Sequence, residues 1–193
     1  QAHLRCGLLD TMLPWVTHLC DHGEIWILLA AMLLAFPKTR RAGACVACAL
    51  VLDLLLCNIW LKPMIGRIRP FAVNPAVSLL IAPPTDASFP SGHTAASFAA
   101  MLALNRAGSS LWRPALVLAL LIAFSRLYLY AHWPTDVLGG AAVGALAGVE
   151  NSFALTLRCG FAAVPVVAEL INDMTVADNL SAAGCALLVA AIA

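Results

Sequence analysis

Long apolar blocks run along this chain, divided by short clusters of proline, charge and histidine. Leu4, Leu8, Met12, Val16 and Leu19 recur near helical spacing, with Pro14 interrupting the stripe. A single apolar face of that kind predicts an amphipathic segment at a membrane interface. Residues 23–36 are apolar and stop at Pro37. A span needs about 20 residues, so this first predicted helix begins earlier, near Asp21. Residues 42–61 predict the second span, and residues 62–90, with six prolines, a long connection. Connections beyond about 12–15 residues are usually functional or disordered. A third helix is predicted from Ser91 to about Arg106. A fourth carries Pro114 in its first turn and ends near Tyr130, and a fifth runs from about Asp136 to Leu157. Beyond Arg158, apolar stretches 160–168 and 180–193 flank Glu169, Asn172, Asp173, Asp178 and Asn179, a pattern that fits a sixth helix, a broken helix or a surface segment.

The predicted fold is therefore all-α: an integral membrane bundle of five to six transmembrane helices with an interfacial N-terminal segment. It forms one domain over residues 1–193, with a motif-bearing core at about 23–157 and the tail 159–193 left open. Composition supports the membrane. Of 193 residues, 62% are hydrophobic and 11% charged, against about 45–50% and about 25% in soluble domains. A net charge of +1 offers no basic field for nucleic acid. Asp10, Pro14 and His18 break any signal-peptide-like apolar region, so no cleaved signal is expected. Cys45 and Cys48 make a CxxC inside an apolar run without a second ligand pair, which reads as helix packing and not as a zinc site.

Cations set the expected orientation. Lys38, Arg40 and Arg41 lie between the first two spans, Arg106 and Arg113 between the third and fourth, and Arg158 after the fifth. The positive-inside rule makes that side cytoplasmic, so the loops at 62–90 and 126–136 face outward. The fifth helix carries Gly140, Gly144 and Gly148, a doubled GxxxG face for close helix approach. Packing within the bundle is the preferred reading of that face, and a homo-oligomer through it the alternative.

Three polar strings fall on the outward side: Lys62 to Arg69-Pro70, Pro90-Ser91-Gly92-His93, and Ser125-Arg126 to His132 and Asp136. Taken singly, each has an ordinary explanation, as snorkelling cations, a helix cap or interfacial decoration. Their gathering on one face favours a shared chemistry. A phosphoryl group needs its oxygens neutralised, which arginine does in a bidentate fork and lysine as a point charge. The amides at the start of the third helix, the space at Gly92 and the Ser91 hydroxyl add to an anion cradle. Such a cradle stabilises developing charge without a metal, and no carboxylate cluster is present to bind one. Asp136, four residues past His132, can fix the His132 tautomer and leave its other nitrogen free to attack. His93 has no carboxylate in its own string and suits protonation of the leaving oxygen. Asp53, midway along the second helix, is expensive in lipid and finds no role.

These strings resemble the type-2 phosphatidate phosphatase superfamily, which holds membrane lipid phosphatases and soluble vanadium haloperoxidases. Lys62 and Arg69-Pro70 have six residues between them, Pro90 to His93 is complete, Ser125-Arg126 and His132 have five between, and His132 and Asp136 three. The stretch Lys62-Pro63, Gly66-Arg67, Arg69-Pro70-Phe71 is similar to small bacterial members acting on lipid phosphates and diphosphates. The resemblance implies that Lys62, Arg69, Ser91, Gly92 and Arg126 bind the phosphoryl group, with Arg67 as a further candidate. It implies that His132 becomes a phosphohistidine, Asp136 orients it and His93 protonates the leaving group, with no metal and no cofactor. The expected activity is that of a multi-pass cell-membrane phosphatase with an extracytoplasmic site, converting undecaprenyl diphosphate to undecaprenyl phosphate. Phosphatidate or phosphatidylglycerol phosphate is the alternative substrate. A non-catalytic lipid or anion carrier is the alternative of another class, which the full set of His93, His132 and Asp136 disfavours. The expected partners are the lipid phosphate and membrane lipids.

Overall fold

The computed structural model describes residues 5–149, and among them there are helices and no strands. The order is α1 (Gly7–His18), α2 (Glu24–Ala35), α3 (Arg40–Asp53), a π-helical stretch (Leu54–Leu61), α4 (Lys62–Ile65), α5 (Pro70–Val73), α6 (Gly92–Arg106), α7 (Trp112–Tyr128) and α8 (Pro134–Val149). The expected continuation of the fifth helix to Leu157, the tail 159–193 and Arg158 lie outside the described residues.

Local chemistry sets the breaks. Phe36 is extended at φ −108° and ψ 127°, as the residue before Pro37 has to be, and α2 stops there. Gly66 closes α4 in the left-handed region at φ 58°, donating its N–H to the Lys62 carbonyl. Pro70 occupies the first turn of α5, where its missing N–H costs nothing. The second predicted helix is longer than its hydropathy suggested. It passes from α3 through the π-helical stretch into α4, so Lys62 sits on a helix and the connection opens at Gly66. A π-helical stretch widens the turn and commonly accompanies a functional site.

The interior is built from small residues. Ala95, Ala99, Ala100 and Ala103 on α6 are buried, as are Ala49 on α3, Ala119 on α7 and Ala147 on α8. Around them lie a few large buried side chains, Trp26, Leu104 and Ile122, while many other large apolar side chains point outward, with Leu28 64%, Leu120 52% and Leu138 69% exposed. Water would not tolerate such an exterior, and lipid would; close-packed small residues inside are how helices associate there. The run Arg40–Val73 is long and apolar enough to cross a membrane, and α2 and α8 are shorter apolar helices.

Gly140, Gly144 and Gly148 face α6. A β-carbon on Gly144 would stand 2.1 Å from the Ala95 carbonyl oxygen, and one on Gly148 2.6 Å from that of Ala99. This agrees with the preferred reading of packing within the bundle, because α6 of the same chain fills the face that the alternative gave to a homo-oligomer. Cys45 packs against the apolar core, in line with the structural reading of the CxxC.

Antiparallel succession brings the start of α2, the end of α4 and the starts of α6 and α8 to one end, with the end of α7. The Ser91 N–H donates to the Asp136 carbonyl at 3.0 Å, pinning the start of α6 to the start of α8. Arg69 donates to the Ala131 carbonyl at 2.9 Å and so ties the long connection to the α7–α8 turn.

Candidate active site

His132 stands in the short turn between α7 and α8. The Arg126 carbonyl accepts both the Ala131 and His132 N–H groups, and Tyr130 takes a left-handed φ of 59° to make that turn. The imidazole is buried. Arg69 Nη1 lies 3.2 Å from its Nε2. A guanidinium only donates, so Nε2 is the bare nitrogen and Nδ1 carries the proton. Nδ1 is aimed at Asp136 Oδ2, 3.6 Å away. That is ion-pair range and longer than a hydrogen bond, which leaves Nδ1 without a hydrogen-bond partner. Burial pushes the imidazole down to about 4; Asp136 opposes the shift, and Arg126 and Arg69 add to it. His132 is therefore neutral at pH 7, with its Nε2 lone pair accepting from Arg69 and free for attack once Arg69 turns to another acceptor.

Asp136 is wholly buried. Its Oδ1 accepts from Arg67 Nη1 at 2.8 Å, and its Oδ2 accepts from the Ser88 hydroxyl and from the Trp133 N–H at 2.9 Å. Arg67 also donates to Thr135 Oγ1 and stacks over the Trp133 ring. Arg67 is thus a partner of Asp136 and stands outside the cavity lining. Ser91 occupies the N-cap position of α6 and its buried side chain makes no cap bond; its hydroxyl accepts from Thr94 Oγ1 at 3.0 Å, which leaves its own O–H to donate.

The other candidates share one cavity of about 910 Å³, lined by Lys62, Arg69, Gly92, His93, Arg126 and His132. Arg126 donates through Nη1 to Thr17 Oγ1 at 2.6 Å, while its buried Nε has no partner. A buried guanidinium N–H left open is costly unless something accepts from it, and an anionic oxygen in the cavity would. Gly92 lies against Asn58, whose Oδ1 would stand 3.0 Å from a β-carbon there, a tight contact that the asparagine side chain would have to relieve by shifting. Among the described residues, no three His, Cys, Asp or Glu side chains gather closely enough to hold a metal ion.

Two carboxylates in this cavity had no place in the sequence reading. Asp86 pairs with Lys62 through Oδ2 and accepts from Arg69 Nη2 through Oδ1 at 2.6 Å. Partial burial pushes its carboxyl up, but Lys62 and Arg69 outweigh this and hold it at about 2. An ionised carboxylate therefore spans the two cations where a phosphoryl group would be expected to lie. Asp21, from the α1–α2 turn, stands 3.1 Å from His93 Nε2. Asp53, which lacked a role, is buried in the same cavity wall with Oδ1 unpartnered.

The PAP2 superfamily model matches residues 42–160. The chain belongs to the PAP2 superfamily. Among PAP2 relatives, an undecaprenyl-diphosphatase of Sulfolobus acidocaldarius is 36% identical over 122 residues, 62% of this chain and 58% of that protein. The undecaprenyl-diphosphatase BcrC of Bacillus subtilis is 31% identical over 74% of this chain and 72% of its own length. A decaprenylphosphoryl-5-phosphoribose phosphatase of Mycobacterium tuberculosis is 35% identical, covering 75% of this chain and 78% of that protein. The chain thus spans less than two thirds of the Sulfolobus protein and about three quarters of the other two. Among solved PAP2 structures, Aquifex aeolicus LpxE aligns with a TM-score of 0.67 at 29% identity, over 76% of this chain and 87% of that one. A PAP2-type phosphatidylglycerolphosphate phosphatase from Bacillus subtilis aligns at 0.60 and 27%, over 76% of each chain.

Proposed function

We propose that this PAP2 chain is a membrane lipid phosphatase that works through a phosphohistidine. One observation carries the reading: the cavity has two chemically different ends. Its polar end presents Lys62, Arg69, Arg126 and the two histidines. Its other end is lined by Ile27, Ala30 and Leu34 of α2 and by Ala47, Leu50 and Val51 of α3. A phosphoryl group fits the first end and a hydrocarbon tail the second, which is the shape of a lipid phosphate. Undecaprenyl diphosphate is the substrate best supported, since two of the relatives carry that activity in their names. A phospholipid monoester such as phosphatidylglycerol phosphate is the second reading, supported by the Bacillus structure. A non-catalytic carrier would have no use for a neutral imidazole aimed between a guanidinium and a carboxylate.

In the proposed reaction His132 Nε2 attacks phosphorus while Lys62, Arg69 and Arg126 neutralise the phosphoryl oxygens. The phosphorus–oxygen bond to the lipid breaks, its electron pair stays on the leaving oxygen, and His93 protonates that oxygen. Asp136 stabilises the charge that develops on His132, drawing in the Nδ1–H across the present 3.6 Å. Water then attacks phosphorus, the phosphorus–nitrogen bond breaks, and inorganic phosphate leaves. Asp86 has to give up Lys62 and Arg69 to the incoming group.

The membrane placement belongs to the same proposal. The helices α2, α3 with its π-helical extension, α6, α7 and α8 would be spans, and α1 would lie at the interface. The site would face the extracytoplasmic side, because Lys38, Arg40, Arg41, Arg106 and Arg113 all fall at the opposite helix ends. All 193 residues would form one domain. The test is phosphate release by purified protein from undecaprenyl diphosphate, phosphatidylglycerol phosphate and phosphatidate. The reading predicts turnover of the diphosphate above the others, and no release from any of them would refute it.

A further inference from the structure

Nothing near His93 in sequence supplies a counter-charge, yet the fold brings one from 72 residues away. Asp21 projects from the turn between α1 and α2. Thr17, Cys20 and Gly23 shape that turn: the Cys20 N–H donates to the Thr17 carbonyl, the Gly23 N–H donates to that of Cys20, and Gly23 sits at φ 77°. Cys20 is buried beside Ser97, one turn along α6 from His93, so the turn is anchored against the helix that bears the histidine. Asp21 Oδ1 then lies 3.1 Å from His93 Nε2, and Oδ2 lies 2.6 Å from His18 Nδ1. All three side chains line the cavity.

A carboxylate only accepts, so the nitrogen facing it carries a proton. Asp21 stays ionised: partial burial raises its carboxyl, but the hydrogen bonds from His18 and His93 outweigh that and hold it below the ordinary range. With Nε2–H committed to Asp21, Nδ1 is the ring nitrogen left to exchange a proton with a ligand. The charged groups that face His93 are Arg126 and Asp21, with His132 beyond, so an imidazolium at His93 forms when an anionic phosphoryl group enters the cavity and Asp21 adds to its compensation.

We propose that Asp21 is the positioning residue of His93, as Asp136 is of His132. The inference rests on the reading of His93 as the acid. As the phosphorus–oxygen bond breaks, the Nδ1 proton of the imidazolium passes to the leaving oxygen, and Asp21 keeps the Nε2–H. When water attacks the phosphohistidine, Nδ1 takes the water proton and the imidazolium returns. Asp21 itself gains and loses no proton.

Leaving-group dependence tests this on the full chain, with dodecyl phosphate, whose alkoxide needs a proton, against p-nitrophenyl phosphate, whose phenolate does not. His93→Ala should lose about 10²- to 10⁴-fold in kcat on the alkyl ester and far less on the aryl ester. Asp21→Asn should show the same selectivity at about 10- to 100-fold, with KM unmoved. Asp21→Glu should restore part of the alkyl activity, and Asp21→Asn should add nothing to His93→Ala. Aryl-ester turnover reports folding. If Asp21→Asn falls on both esters, Asp21→Glu decides, and failure to restore the alkyl arm overturns the proposal. A selective His93→Ala with an unselective Asp21→Asn overturns the role of Asp21 and leaves the acid assignment standing. An unselective His93→Ala removes both.

Discussion

His132 and His93 face one cavity from unlike supports. Asp136 stands behind His132, is fully buried, and is itself gripped by Arg67, Ser88 and the Trp133 amide. Behind His93 is Asp21, 38% exposed on its side chain and shared with a surface histidine. A buried, many-partnered carboxylate fixes a ring orientation, as a group that must attack along one line requires. A partly exposed one lets water share the charge of its imidazole partner, as a histidine proposed to give and take protons requires. On the proposed reading, one fold gives two chemically identical side chains unequal tasks through the carboxylates behind them.

The sharpest way to break the comparison is at the nucleophile. His132→Ala should reduce phosphate release to background, a loss on the order of 10⁵ or more; turnover near wild type would remove its role. Asp136→Asn keeps the shape but loses the charge, and kcat should fall about 10³- to 10⁴-fold. Arg67→Ala acts one layer further out. It should lower kcat about 10- to 100-fold with KM unchanged, whereas a matching rise in KM would return Arg67 to the phosphate. Asp86→Asn should do the opposite of all these to affinity. Asp86 is half exposed although Lys62 and Arg69 are not, so removing the competing anion is worth about 1 kcal/mol after screening, and KM should drop several-fold in steady-state assays. An unchanged KM would mean that Asp86 does not compete with substrate.

The helical architecture and most of the cation cradle were legible because they are local. Apolar blocks of span length, Pro37 and Pro114 mark helices directly, and His132 and Asp136 are four residues apart with a proline between. What stayed hidden depends on tertiary approach. Arg67 and Arg69 look equivalent in sequence, yet one goes behind Asp136 and the other onto His132. That Thr94 donates to the Ser91 hydroxyl is likewise visible only in the fold. The π-helical widening over Leu54–Leu61 leaves no mark in an apolar run, and it moves Lys62 from a loop onto a helix end. Asp86 sits in a proline-rich connection, and Asp21 arrives from another helix pair, so spacing pointed to neither. The glycine face read correctly as a close-approach surface, and only the fold says that α6 is what approaches.

The central claim is that His132 carries the phosphoryl group between lipid and water. Mixing the full chain with undecaprenyl diphosphate, stopping with alkaline denaturant within the first turnover and mapping peptides by mass spectrometry tests it directly. One added phosphoryl group is expected on the peptide bearing His132, present on the wild-type chain and missing from His132→Ala. A phosphoryl group on His93 or another residue, or substrate turnover with no modified peptide under conditions that preserve phosphohistidine, would contradict it.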